Sequence, residues 1–161
     1  MARFVYMGSF PPPYGGVTVK NALLYNELAE RVDIDRIDLS AVKKGDAALV
    51  AKLIKAIFGR KGTLVIGVSA NWRYIITVMM RLFNEKKMSR SLLIFMGGKV
   101  PDSRAYMKRL GQYKRIYVET ESMKRSFEDS GAKNVSVYPN CRVRPSAPCE
   151  VCRMTNRKRG S

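Results

Sequence analysis

An apolar run, Phe4–Met7, is followed by Gly8-Ser9-Phe10-Pro11-Pro12-Pro13-Tyr14-Gly15-Gly16-Val17 and then by a stretch with helical spacing. Paired glycines at a helix N-terminus let backbone N–H groups approach a phosphate closely, and the helix dipole favours negative charge there. The spacing is neither a dinucleotide fingerprint nor a P-loop, since no Gly-Lys-Ser/Thr follows. The same residues also suit a proline-stiffened strand-to-helix turn, so a phosphate cradle and a plain turn both stand. The chain has no histidine, which removes the commonest general base and metal ligand and argues against a hydrolase of the triad type. Its three cysteines, Cys141, Cys149 and Cys152, are confined to the last segment. Cys149-x-x-Cys152 has zinc-ligand spacing, but a closed site needs four ligands, which only a second chain could complete. No metal site is expected from this chain by itself.

The 161 residues carry 30 Lys+Arg against 13 Asp+Glu, a net charge of +17. Such an excess attracts anionic partners: phosphorylated substrates, a membrane surface or nucleic acid. No nucleic-acid motif accompanies it, so no specific nucleic-acid partner is expected. Ala47–Lys61 groups Leu49, Leu53, Ile54, Ile57 and Phe58 apart from Lys52, Lys55, Arg60 and Lys61. That is either a core helix with a solvated basic face or a helix lying on anionic lipid. Met1–Phe10 has no h-region, so no secretory signal is expected there, and the most apolar stretch, Tyr74–Phe83, is broken by Arg81. The expectation is a cytoplasmic protein, with peripheral contact at the inner membrane face as a variant.

The elements that must position the glycine loop alternate. Strand-like runs fall at 3–7, 34–39, 63–68, 91–96, 115–118 and 135–138. Helical stretches fall at 17–31, 46–58 (Asp46 as N-cap, Gly59 closing), 71–83, 101–110 and 121–130, the last ending at Gly131. This predicts a doubly wound, Rossmann-like α/β domain with a mostly parallel sheet covered on both faces. Ligands then belong beyond the carboxyl ends of the strands. From Cys141 onward apolar periodicity stops and basic residues dominate. Residues 141–161 therefore read as a basic tail, disordered or non-native.

Pro11-Pro12-Pro13-Tyr14-Gly15-Gly16-Val17, the run Arg115–Arg125 with Glu119 and Glu121, Gly131-Ala-Lys-Asn-Val135 and Tyr138-Pro-Asn140 together resemble the N-terminal domain of the retaining glycosyltransferase family four, of GT-B fold. The resemblance spans about residues 1–142. It implies that residues 1–140 form the acceptor-side half of a GT-B architecture, taking a glycan or lipid-linked acceptor. A nucleotide-sugar would be co-substrate, and no other cofactor is implied. Gly15 and Gly16 would contact the donor diphosphate across the cleft. Asn71, Arg73, Lys99, Glu119 and Glu121, with Trp72 beside them, would line the acceptor side. No catalytic residue can be assigned. Where the family commonly carries a histidine, this chain reads Phe95-Met96-Gly97-Gly98, and the donor-binding half is not in these residues. Two functional expectations follow: half of a glycosyltransferase, inactive without a donor domain, or a non-catalytic acceptor- or membrane-binding partner of a separate donor-binding chain.

Overall fold

Apolar runs bounded by glycine, proline or aspartate become strands, and the longer runs of helical spacing become helices. The computed structural model describes residues 3–96 and 100–138. β1 (Phe4–Gly8) passes through the proline–glycine loop into α1 (Gly16–Ala29) and β2 (Ile34–Asp38). Next come α2 (Leu39–Lys43), α3 (Ala47–Phe58) and β3 (Thr63–Val68). α4 (Ala70–Phe83) and α5 (Glu85–Met88) lead to β4 (Leu92–Phe95), α6 (Arg104–Leu110), β5 (Arg115–Val118), α7 (Glu121–Asp129) and β6 (Val135–Val137). The six strands pair in the order β2-β1-β3-β4-β5-β6, and every pair is parallel. This is a doubly wound, Rossmann-like α/β domain.

Alternation along the strands divides the core. Val5, Met7, Leu64, Ile66, Leu93, Phe95 and Ile116 point to one face, where they meet Leu53 and Ile57 of α3, Ile76 and Met80 of α4, Leu110 of α6 and Phe127 of α7. Tyr6, Val65 and Ile94 point to the other, where α1 supplies Leu24, Tyr25 and Leu28. The expectation of helices on both faces therefore holds unevenly. Only the β1-to-β2 crossover runs towards the β2 edge. All later crossovers run the opposite way, and right-handed connections then put their helices on the same face. Beyond α1 a groove of about 470 Å³ opens, lined by Leu28, Val65, Leu92, Ile94 and Tyr117 among others.

Several boundaries differ from the sequence expectation, each for a local reason. Leu39 leaves the strand because the Asp38 carboxylate accepts the Ser40 N–H at 2.9 Å and starts α2. The sixth helix begins at Arg104 rather than Pro101, because the Ser103 hydroxyl accepts the Tyr106 N–H at 3.3 Å. Gly131 does adopt a left-handed φ of 89° after α7. Gly59 does not: it is extended, with φ −67° and ψ 144°. The carbonyls at the end of α3 are instead taken by side chains from α4 and α5. Asn84 Nδ2 donates to Ile57 O at 3.0 Å, and Lys87 Nζ donates to Gly59 O at 2.7 Å and Lys61 O at 2.9 Å. A lysine at 0% exposure is tolerable because these carbonyls replace its water. Burial pushes its pKa down, and the nearby Arg90 adds to that.

Lys87→Met is expected to destabilise the fold by about 3 kcal/mol, since it leaves the carbonyls at the end of α3 without their buried donor. The exposed neighbour change Lys86→Met should stay within about 0.5 kcal/mol in the same denaturant titration.

Candidate functional site

In a doubly wound sheet the crevice lies where the strand order reverses, here between β1 and β3. Gly8 and Gly67 are partners across that pair. Into the space above them projects Asn21 of α1, which is fully buried. Its Nδ2 donates to Ser9 O at 2.9 Å, and its Oδ1 accepts the Tyr6 hydroxyl at 2.8 Å. A Cβ on Gly8 would sit 2.8 Å from Asn21 Nδ2. One on Gly67 would sit 2.7 Å from the Tyr6 hydroxyl and against Asn21 Oδ1. The two glycines are therefore there for Asn21, which ties α1 to the sheet and sets the direction of the loop leaving β1. Phe10 anchors that loop from below, its ring 5.8 Å from those of Tyr6 and Tyr25.

Gly15 and Gly16 behave differently. Both are exposed at the start of α1. Added Cβ atoms would meet nothing at Gly16, and only Thr18 Oγ1 at 3.8 Å at Gly15. Neither has a positive φ. The Gly15 N–H is used internally, donating to Thr18 Oγ1 at 2.9 Å. No side chain caps the first turn, and no acidic residue stands in it. The N–H groups of Gly16, Val17 and Thr18 thus present an uncapped, positively polarised helix end at the carboxyl edge of the sheet.

The other expected site residues are spread along the same edge with different surroundings. Glu119, just after β5, is ion-paired with Lys20 of α1 at 2.5 Å, both side chains being mostly buried. Glu121 is exposed and opens α7, whose N-cap Thr120 accepts the Met123 N–H at 3.2 Å. Asn71 is exposed in the first turn of α4, and Trp72 packs half-buried against the larger core. Arg73 turns inward and is 2% exposed, its guanidinium 3.6 Å from the Phe95 ring centroid. The Tyr106 hydroxyl lies beside that guanidinium. Burial pushes the Arg73 pKa down and that of Tyr106 up. Lys99, Asn140, the three cysteines and the basic tail lie outside the described residues.

The fold thus brings Gly15, Gly16 and, through Lys20, Glu119 to one side of the crevice, while Asn71 and Arg73 diverge into solvent and core. Tyr6, Lys20 and Asn21 are the organising residues that sequence reasoning passed over. One signal was available: Gly67 inside a β-rich run marks close approach by another group. Among the described residues, no group of three or more His, Cys, Asp or Glu side chains could hold a metal ion. No helix among them is long and apolar enough to cross a membrane. No protein-family model, curated protein or solved structure matches this chain.

Gly67→Ala should destabilise the domain by about 1–3 kcal/mol, because its methyl displaces Asn21 or Tyr6 in a packed site. Nuclear magnetic resonance of the Asn21 side-chain amide should show the displacement. Alkaline pH probes the same core. Burial raises the phenol pKa values of Tyr6 and Tyr113 above their ordinary 10.0, with Tyr138 adding to the rise at Tyr6 and Tyr106 adding to it at Tyr113. Above that pH the unfolded chain releases protons that the folded one keeps, so stability is whole below it and falls above it. The slope is about 1.4 kcal/mol per pH unit for each tyrosine. Tyrosinate absorbance from these two residues should rise together with the loss of helical circular dichroism, not before it.

Proposed function

We propose that this domain is the acceptor-side half of a nucleotide-sugar-dependent glycosyltransferase, working in the cytoplasm on a glycan or lipid-linked acceptor in polysaccharide synthesis. The observation that carries the proposal is the contrast between the two glycine pairs. Gly8 and Gly67 are demanded by internal packing. Gly15 and Gly16 are demanded by neither packing nor backbone conformation, yet they clear the space in front of an uncapped helix N-terminus at the carboxyl edge of the sheet. Residues without side chains at such a place suit a ligand that comes close to the backbone. Three N–H groups and a helix dipole suit an anionic one.

In this reading the diphosphate of the donor is the leaving group. Negative charge grows on its bridging oxygen as the glycosidic bond to the sugar breaks, and the N–H groups of Gly16, Val17 and Thr18 stabilise that charge. The dipole supplies the field here, because the nearest lysine on the helix, Lys20, is already neutralised by Glu119. Transfer needs a donor-binding half facing this edge. Should that half be a separate chain, the same surface serves as a non-catalytic binding subunit.

Titration of the isotope-labelled protein with a nucleoside diphosphate should shift the amide signals of Gly16, Val17 and Thr18 first. Gly16→Val is expected to keep stability within about 1 kcal/mol, as its side chain meets nothing internal. It should weaken diphosphate binding at least about tenfold, a loss of roughly 1.4 kcal/mol. Unchanged affinity in that variant, or shifts centred elsewhere, would remove the proposal.

A further inference from the structure

α4 is apolar on both sides. Ile76 and Met80 enter the core, but Tyr74, Ile75 and Leu82 at helical spacing face outward, with Phe83 following, and Leu82 and Phe83 are 68% and 63% exposed. Its neighbour α3 shows the same departure from expectation. Leu53 and Ile57 are buried, whereas Ile54 and Phe58, expected to join them, are 49% and 41% exposed. The two stripes join where the Phe58 and Phe83 rings meet at 5.1 Å. A continuous apolar face thus runs along two adjacent helices, larger than the scattered exposed residues normal for a soluble surface.

The charge around that face is predominantly positive. From Ala47 to Arg90 the chain holds nine lysines and arginines and a single carboxylate, Glu85. Neither α3 nor α4 contains an acidic residue. Lys55, Arg60, Lys61, Arg81 and Lys86 are all exposed on these helices or the segments that follow them. Apolar side chains flanked by cations on helices lying side by side are what an interfacial surface needs: insertion below the headgroups and attraction to their phosphates. A second copy of the chain fits poorly, because it would set two cationic faces against each other on a molecule of net charge +17.

We infer that the outer face of α3 and α4 docks on an anionic lipid bilayer, with Phe58, Leu82 and Phe83 inserted among the headgroups and the surrounding cations on lipid phosphates. This surface lies on the helices covering the face of the sheet away from α1, and it does not depend on the diphosphate reading.

The full chain should co-sediment with phosphatidylcholine vesicles containing phosphatidylglycerol, bind pure phosphatidylcholine far less, and come off as salt is raised. The uncharged double change Leu82→Ser with Phe83→Ser leaves net charge and the basic tail as they are. It should weaken binding to the anionic vesicles at least about tenfold, the effect expected for losing two inserted apolar side chains. Its circular dichroism and melting should match the parent, since both positions are exposed. Failure of the parent to bind, or equal binding by the double variant, overturns the inference. So does a concentration-dependent dimer in sedimentation that the double variant dissolves, which would assign the face to a second copy. Loss of diphosphate binding in Gly16→Val with vesicle binding intact would show the two surfaces to be separate.

Discussion

Asn21 sits where α1, β1 and β3 meet at the carboxyl edge. It is one buried amide on the second turn of α1, yet it touches the first strand, the loop after it and, through the bare backbone of Gly67, the third strand. A buried amide is costly unless its donors and acceptor are used. Here the Tyr6 hydroxyl and the Ser9 carbonyl use both ends, so the position of α1 is specified by hydrogen-bond direction as well as by apolar packing. The start of α1 inherits that position, and with it the place where the Gly16, Val17 and Thr18 N–H groups open towards solvent. The ion pair between Lys20 and Glu119 holds the same helix from the next residue along, reaching it to the end of β5.

The uneven dressing of the sheet follows from one topological fact. Among the described residues a single crossover turns towards β2, so α1 has no companion on its face there, while α3, α4, α6 and α7 crowd the other. Parallel sheets are ordinarily covered on both sides because their strands are apolar on both sides. Leu92, Ile94 and Tyr117 therefore line an open groove beside α1. On the crowded face the opposite happens: helices already supplied with a core-facing stripe carry a second apolar stripe outward. Both features leave apolar surface towards solvent, and the α3–α4 face is flanked by exposed cations.

Two buried cations show how differently the same charge can be handled. Lys87 is surrounded by carbonyls of the α3 end and serves as its cap, beside the Gly59 that the sequence suggested would close the helix. Arg73 has the Phe95 ring beneath its guanidinium and the Tyr106 hydroxyl beside it. The first is an ordinary solution to a helix terminus, reached by long-range contact. The second is a cation held at the edge of the core, near the strand end where its sequence position had placed it on an open wall.

The alternation of β-rich and helical runs, with Asp46 and Gly131 as punctuation, was enough to derive the fold class, because strand and helix periodicities are local properties of the chain. The glycine loop ahead of α1 was legible for the same reason: a residue type at a helix start has the same backbone consequence in any fold. Burial was not legible where a segment is apolar on every side. Nothing in the spacing of Ile54, Phe58, Ile75 or Leu82 says which stripe finds the sheet, since both stripes satisfy the helical period. Nor could sequence tell that Arg73 would turn inward while Asn71, two residues earlier, stayed in solvent. Those outcomes depend on crossover handedness and on which neighbours arrive. The packing against Phe95, the clamp on Asn21 and the outward face of α3 and α4 were decided only by tertiary structure.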